Sequence, residues 1–213
     1  MKKSGFYLGL RRWWVAYKLI FKGYSYLNKT GFIKSHQYIE PVDAKGNPIP
    51  WMNYAFVEFL DERLSKDLKM FEYGAGYSSL YFAERVAEVV SIEYDKAWEA
   101  KLRELLKDCS NHQLIVCPVG EEYIKAAQDQ SRAFDFILVD GRERVACLEA
   151  GIEALSERGV IVLDDSDREE YQAAFKIAAD RGFKHLRFSG LKPFSFVREE
   201  STVFYRDANC LGL

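Results

Sequence analysis

The chain has 213 residues, 48% hydrophobic and 29% charged, which are the proportions of an ordinary globular domain able to bury a core without disulfides or a structural metal. Its four cysteines form no C-x-x-C pair and its three histidines are scattered, which excludes a disulfide framework or a regular zinc site and suits reduced thiols in a cytoplasmic protein. The net charge of −2 is uneven: residues 1–34 carry eight bases and no acid, while residues 35–213 carry 22 bases against 32 acids, or −10, a body that argues against nucleic-acid binding and an N-terminus that suits an anionic surface.

Residues 5–27 are rich in aromatics and bases and predict one or two helices. Two readings stand. The segment packs on the domain as a lid over the site, or it lies on a membrane interface with Trp13 and Trp14 inserted and its cations outward. It also offers a contact for a homodimer. Its apolar stretch Leu8–Phe21 is broken by Arg11, Arg12 and Lys18, so neither a transmembrane helix nor a signal peptide is expected. Residues 41–51 hold three prolines and a Lys-Gly-Asn step, a turn that separates a helical extension (1–50) from a core domain (51–213). Residues 52–66 then place Phe56, Phe59, Leu60 and Leu64 on one helical stripe.

From Lys69 onward apolar runs of strand length alternate with amphipathic runs of helix length. Strands are predicted at 69–73, 88–93, 113–118, 134–139 and 159–163. The intervening helices fall near 78–86, 96–107, 120–129, 144–156 and 168–181, with Arg158-Gly159 marking a helix end. Such βαβ units make a parallel sheet covered on both faces. After Gly182 two strands, 183–188 and 202–205, follow without a helix and should pair antiparallel at one edge. The predicted fold is α/β: a Rossmann-like three-layer sandwich around a mostly parallel seven-stranded sheet, with a C-terminal antiparallel hairpin and an N-terminal helical extension.

The sharpest local signal is Glu72-Tyr73-Gly74-Ala75-Gly76-Tyr77-Ser78-Ser79, at the end of the first core strand. Gly74 and Gly76 permit a tight turn and close approach of a ligand to the backbone, and the helix that follows offers free N–H groups. Glu93 ends the next strand, where an acid can accept hydrogen bonds from both hydroxyls of a ribose. Tyr94 follows it and is placed to stack near a ligand. A dinucleotide fingerprint would need glycine at position 79, which is Ser79. Glu72 moreover suits a cationic ligand better than a pyrophosphate.

These motifs resemble the class I S-adenosylmethionine-dependent methyltransferases over about residues 69–206. Glu72-x-Gly74-x-Gly76 is similar to the first motif of that family, with Ser78 where many members carry a third glycine. Glu93 is similar to the ribose-binding acid, and Val119-Gly120 falls where members contact the adenine. Phe134–Gly141 is similar to the fourth-strand motif, whose final acid, Asp140, faces the methyl group. The resemblance implies S-adenosylmethionine as cofactor. It is held by Glu72, Gly74, Ala75, Gly76, Ser78, Glu93, Tyr94, Val119, Gly120 and Asp140, with Asp140 also catalytic. Gly76-Tyr77-Ser78 and Gly159–Ser166 further resemble catechol-type and macrocin-type O-methyltransferases. This implies O-methylation of a hydroxyl on a small molecule, a sugar or secondary metabolite, and a Mg²⁺ held by Asp140, Asp164 and Asp165. The residues after Asp140 (Gly141-Arg142-Glu143-Arg144) carry neither the lysine base of the first group nor the acid of the second. Arg142 and Asp164 are the candidate acceptor contacts, since a guanidinium can clamp a carboxylate or phosphate. Two other function classes stand beside this one: a nicotinamide-dependent oxidoreductase, and a non-catalytic cofactor-binding protein that docks through its basic N-terminus.

Overall fold

The computed structural model describes residues 5–213, with side chains from Leu8 onward; Lys2 and Lys3, part of the basic N-terminal segment, lie outside the described residues. The extension forms three helices: α1 (Gly5–Phe21), α2 (Tyr26–Lys29) and α3 (Phe32–Tyr38). The third was not anticipated, because seven residues between Gly31 and Ile39, both in the left-handed region, are too few to show a period. The proline-rich turn closes as expected. Asp43 Oδ1 accepts from the backbone N–H groups of Lys45, Gly46 and Asn47, and Val42 bridges Pro48.

The core strands are β1 (Lys69–Tyr73), β2 (Glu88–Glu93), β3 (His112–Val116), β4 (Phe134–Val139) and β5 (Leu155–Asp164), all parallel. They are followed by β6 (Lys184–Gly190) and β7 (Glu199–Tyr205). The sheet order is β3-β2-β1-β4-β5-β7-β6, with β7 antiparallel to both neighbours. Alternate residues feed two apolar layers. Met70, Phe136, Leu138, Val160 and Val162 face α4 (Tyr54–Asp61) and α5 (Tyr77–Ala83). Phe71, Ile137, Val139, Ile161 and Leu163 face α7 (Glu121–Lys125), α8 (Arg144–Glu153) and α9 (Gln172–Asp180). The remaining helix, α6 (Lys96–Leu105), joins β2 to β3 and is capped by Asp95, which accepts from Ala97 N–H. Asn53 caps α4 and also donates to Ser201 Oγ (2.9 Å) and the Phe188 carbonyl, which ties the start of the core domain to the final hairpin.

Several predicted boundaries move for identifiable reasons. The helix expected at 144–156 stops at Glu153, and Leu155 already pairs with Phe134. The register then jumps to Val160 opposite Phe136. Gly159 therefore sits in a bulge rather than at a helix end: an added Cβ would lie 2.9 Å from the Phe134 carbonyl and the Leu155 side chain. The helix expected at 120–129 breaks after Lys125 into a 3₁₀ turn, Gln128–Gln130. That expected at 168–181 begins at Gln172, after a 3₁₀ turn over Glu169–Tyr171. The helix predicted at 52–66 spans only Tyr54–Asp61.

The helix α1 does not pack on the core as a lid. Its chief neighbour is α2, and Trp13, Trp14, Tyr17 and Phe21 face outward, with Trp13 78% exposed.

Candidate functional site

The sheet order reverses between β1 and β4, and a cavity of about 690 Å³ opens beyond the carboxyl ends of β1, β2 and β4, as expected at a switch point. Tyr73 O accepts from Asp140 N–H and Ile92 O from Gly74 N–H, so the three strand-end loops are stitched together. Gly74 has φ +96°, and a Cβ there would lie 3.1 Å from the Asp140 carbonyl; only glycine lets these two loops pass. At Gly76 the reason differs. Its φ is −178°, ordinary extended backbone, and a Cβ would meet no protein atom within 4 Å. The space above Gly76 belongs to the cavity, whose wall here is Gly74, Ala75, Gly76, Tyr77 and Ser78.

Glu93 is buried at this wall with its carboxylate already aimed. Oε2 accepts from Ala75 N–H (3.2 Å), and Oε1 accepts from Tyr94 N–H (2.8 Å) and Asp95 N–H (2.9 Å). Three backbone donors hold an acceptor pair whose remaining lone pairs can serve a diol. Trp98, on the first turn of α6, donates Nε1–H to the Ala75 carbonyl and closes the other side of the glycine loop.

Glu72 does not reach the cavity wall, contrary to a direct contact with a cofactor. It is 0% exposed, beneath the loop. Its Oε2 accepts from Ser79 Oγ (2.6 Å) and Ser91 Oγ (2.7 Å), and Ser79 Oγ in turn accepts from Gly76 N–H (3.1 Å). Since both hydroxyl protons go to Glu72, His112 Nε2, 2.9 Å from Ser91 Oγ, is left to donate. Burial lowers His112 to about 4, so its ring is neutral at pH 7. Glu72 Oε1 has no partner, and burial raises the carboxyl to about 7 despite the serine hydroxyls. Glu72 thus acts on the loop through Ser79.

Asp140 stands at the base of the cavity. It belongs to a cluster in which one oxygen each from Asp140, Asp164 and Asp165 lies within 4.8 Å of the others. The cluster is threaded by cations. Arg144 reaches Asp140 Oδ1 (2.9 Å), Asp165 Oδ2 (3.4 Å) and the Asp164 carbonyl (2.6 Å). Lys192 bonds Asp165 Oδ1 and stands 4.0 Å from Asp164, and Arg168 bonds Asp165 Oδ2 at 2.6 Å. Ser201 Oγ donates to Asp164 Oδ1. Burial raises Asp140 and Asp164, and each is raised further by Asp165. Asp165 is low, because Lys192, Arg144 and Arg168 outweigh its burial. Three acids facing three bases do not form a donor set awaiting a divalent cation: a Mg²⁺ would have to displace Lys192 and Arg144. The metal triad expected from the resemblance is therefore replaced by an internal ion network. Asp164 is also corrected as an acceptor contact, since it is buried under that network and off the cavity wall.

Arg142 does line the cavity, steadied by a 2.8 Å bond to the Tyr94 hydroxyl and by that ring's face. Val119 and Gly120 do not. They are exposed on the loop after the edge strand β3, where only one neighbouring strand constrains the chain. The sequence did not single out the remaining wall residues one by one. Lys101 comes from α6, Ile39 and Pro41 from the extension, and Trp51 and Phe194 from the turns on either side of the core. Trp98 carried a usable signal, an indole five residues after the predicted ribose-binding acid. Of the others, Ile39, Pro41, Trp51 and Phe194 lie in irregular segments with no period, whereas Lys101 lies on α6.

The sequence matches no protein-family model and no curated protein. The fold, by contrast, is shared with solved methyltransferases. An rRNA methylase from Streptococcus thermophilus is similar with TM-score 0.55 at 14% identity, over 70% of this chain and 92% of that one. A precorrin-6y C5,15-methyltransferase from Geobacter metallireducens gives 0.57 at 19%, over 72% and 88%. Fibrillarin from Aeropyrum pernix, solved with natively bound S-adenosyl-L-methionine, gives 0.53 at 12%, over 68% of each chain. The architecture is thus the Rossmann-like fold of the S-adenosylmethionine-dependent methyltransferases.

Proposed function

We propose that this chain binds S-adenosylmethionine in the cavity beyond β1, β2 and β4 and transfers its methyl group to a hydroxyl of a small molecule. The observation that carries the reading is the Glu93 carboxylate, held by three backbone N–H groups beside the glycine loop at the switch point. The bound cofactor supplies an electrophilic sulfonium methyl group. Glu93 accepts the two ribose hydroxyls. The open space over Gly76 admits the aminoacyl end, with Ser78 beside it. Asp140, fixed by Arg144, lines the cavity with its proton affinity raised by burial, and it takes the proton of the attacking hydroxyl. Ile39, Trp51 and Phe194 provide apolar walls that exclude water, and Arg142 presents a cation toward the acceptor. In this arrangement the protein's task is alignment of donor and acceptor rather than covalent chemistry.

The wall and the charge support a small acceptor. A cavity of this volume suits a small ligand, and the −10 charge of residues 35–213 works against a polyanionic acceptor. Arg144 and Lys192 neutralise the acids beside Asp140, so the reaction proposed here needs no divalent cation.

Calorimetric titration with S-adenosylhomocysteine tests the reading. The intact protein should bind at micromolar concentration, and Glu93→Ala should weaken binding by about tenfold or more, ~1.4 kcal/mol. Binding of NAD without binding of S-adenosylhomocysteine would transfer the site to the oxidoreductase class. Binding with no methylation across a broad acceptor screen would favour the non-catalytic class.

A further inference from the structure

The helix α1 is unlike every other helix of the chain in what it leaves outside. Leu10, Trp13, Trp14, Tyr17 and Phe21 recur at i, i+3, i+4, i+7 and i+11, one face of a helix, and all five are exposed. Arg11, Lys18 and Lys22 recur at i, i+7 and i+11 and form a row beside that face. Lys18 Nζ lies 3.7 Å from the centroid of Trp14, and Lys22 Nζ lies 5.3 Å from that of Tyr17. The aromatic edge and the cationic row therefore meet along the helix. Residues 1–34 hold no acid.

The helix is also fixed in place. Ser25 Oγ donates to the Leu19 carbonyl, and Asn28 Nδ2 donates to those of Ile20 and Lys22. The end of α1 is thereby locked to α2. From there α3 leads to the cavity: His36 stacks on Phe196 and meets Phe194 edge-on, and Phe194 meets Trp51.

We infer that α1 is a peripheral anchor that lies in the interface of an anionic lipid surface. Its aromatic face enters the boundary between headgroups and acyl chains, and its cations reach the lipid phosphates. Three observations select this occupant. Tyrosine and tryptophan carry the apolar face, and such amphipathic rings partition to a membrane interface. The charge complements anionic headgroups, each cation near the surface adding attraction. The 17-residue helix is about 25 Å long, short of a bilayer core, and no described helix is long and apolar enough to cross a membrane. Pairing α1 with a second copy would instead bring two rows of like charge together without an acid in either segment. The inference stands on α1 alone and does not depend on the methyl-transfer reading.

The test is cosedimentation of the full chain with vesicles of phosphatidylcholine alone, and of phosphatidylcholine with phosphatidylglycerol at roughly one part in three. The protein should bind the anionic vesicles at least about tenfold more tightly than the neutral ones, with a blue shift of tryptophan emission. The double variants Trp14→Glu/Phe21→Glu and Arg11→Ser/Lys18→Ser should each lose most of that binding. Their thermal unfolding should be unchanged, because none of these side chains is buried. Absence of binding to anionic vesicles overturns the inference, as does equal binding by the variants. A dimer in analytical ultracentrifugation that the variants dissolve, with no vesicle binding, assigns the face to a second copy instead.

Discussion

Replacing Glu72 by glutamine isolates the consequence of one buried carboxyl. The group is 0% exposed and held near 7 instead of 4.5, chiefly by burial. Because its folded-state value is raised, the folded chain binds more protons than the unfolded chain between those limits. Stability from this group is therefore full below about pH 4.5 and is lost as pH rises through 7. That displacement corresponds to ~3 kcal/mol. Glutamine cannot ionise. Its carbonyl can accept from both Ser79 and Ser91, while its amide at the partnerless Oε1 position costs about 1–3 kcal/mol at every pH. Glu72→Gln should accordingly be less stable than the parent near pH 5 and should gain on it by ~3 kcal/mol by pH 8. Urea denaturation of both proteins at half-unit steps reads this difference directly, because all other titrations cancel in the subtraction. A stability difference that stays constant from pH 5 to 8 would refute the assignment of a buried, proton-holding carboxyl at position 72.

Two of the three cavity-lining glycines should separate by role. Gly141→Ala pushes a Cβ into the Tyr123 hydroxyl and within 3.1 Å of the Tyr73 carbonyl, so it should cost about 1–3 kcal/mol in urea denaturation. Gly76→Ala meets no protein atom and should leave stability within about 0.5 kcal/mol while weakening S-adenosylhomocysteine binding about tenfold. Lys192→Met removes a cation from Asp165, and stability should fall by ~3 kcal/mol at pH 8 and by less at pH 5, where the carboxylates can protonate; an equal loss at both pH values would contradict the ion network. Exhaustive chelation followed by added Mg²⁺ should leave cofactor binding and turnover unchanged within about twofold, and a tenfold stimulation by the metal would reinstate the metal triad.

What the sequence disclosed was whatever repeats or clusters within a few residues. The strands between Lys69 and Asp164 declare themselves as apolar runs, and the Glu72–Ser79 motif with Glu93 locates the cavity. Asp140 is legible for the same reason, as the last residue of an apolar run. The ion network was not legible. Lys192 lies 27 residues from Asp165, and only the antiparallel return of β7 brings the loop before it back to the end of β5. The sequence showed three acids and could not show that their cations arrive from α8 and from that loop. Glu72 was identified for its charge but misplaced by one layer, because strand position alone does not say whether a side chain emerges above a loop or supports it from below. The same holds for the apolar wall: Ile39, Trp51 and Phe194 come from three separate irregular segments.

Among the described strands β7 comes last in chain order and yet takes an interior place, between β5 and β6. Until residues 199–205 emerge, β5 is an edge with unpaired N–H and C=O groups over a row of buried valines and leucines, the kind of edge that recruits other chains. The Asn53 clamp waits as well, since its partner Ser201 is 148 residues away. A chain grown only as far as β6 therefore holds an open sheet, and the seal on β5 and the lock on α4 arrive together with β7. Contacts of such long range slow folding. A nascent chain halted between Gly190 and Glu199 would carry all of the glycine loop, Glu93 and Asp140 and still expose the β5 edge to other chains.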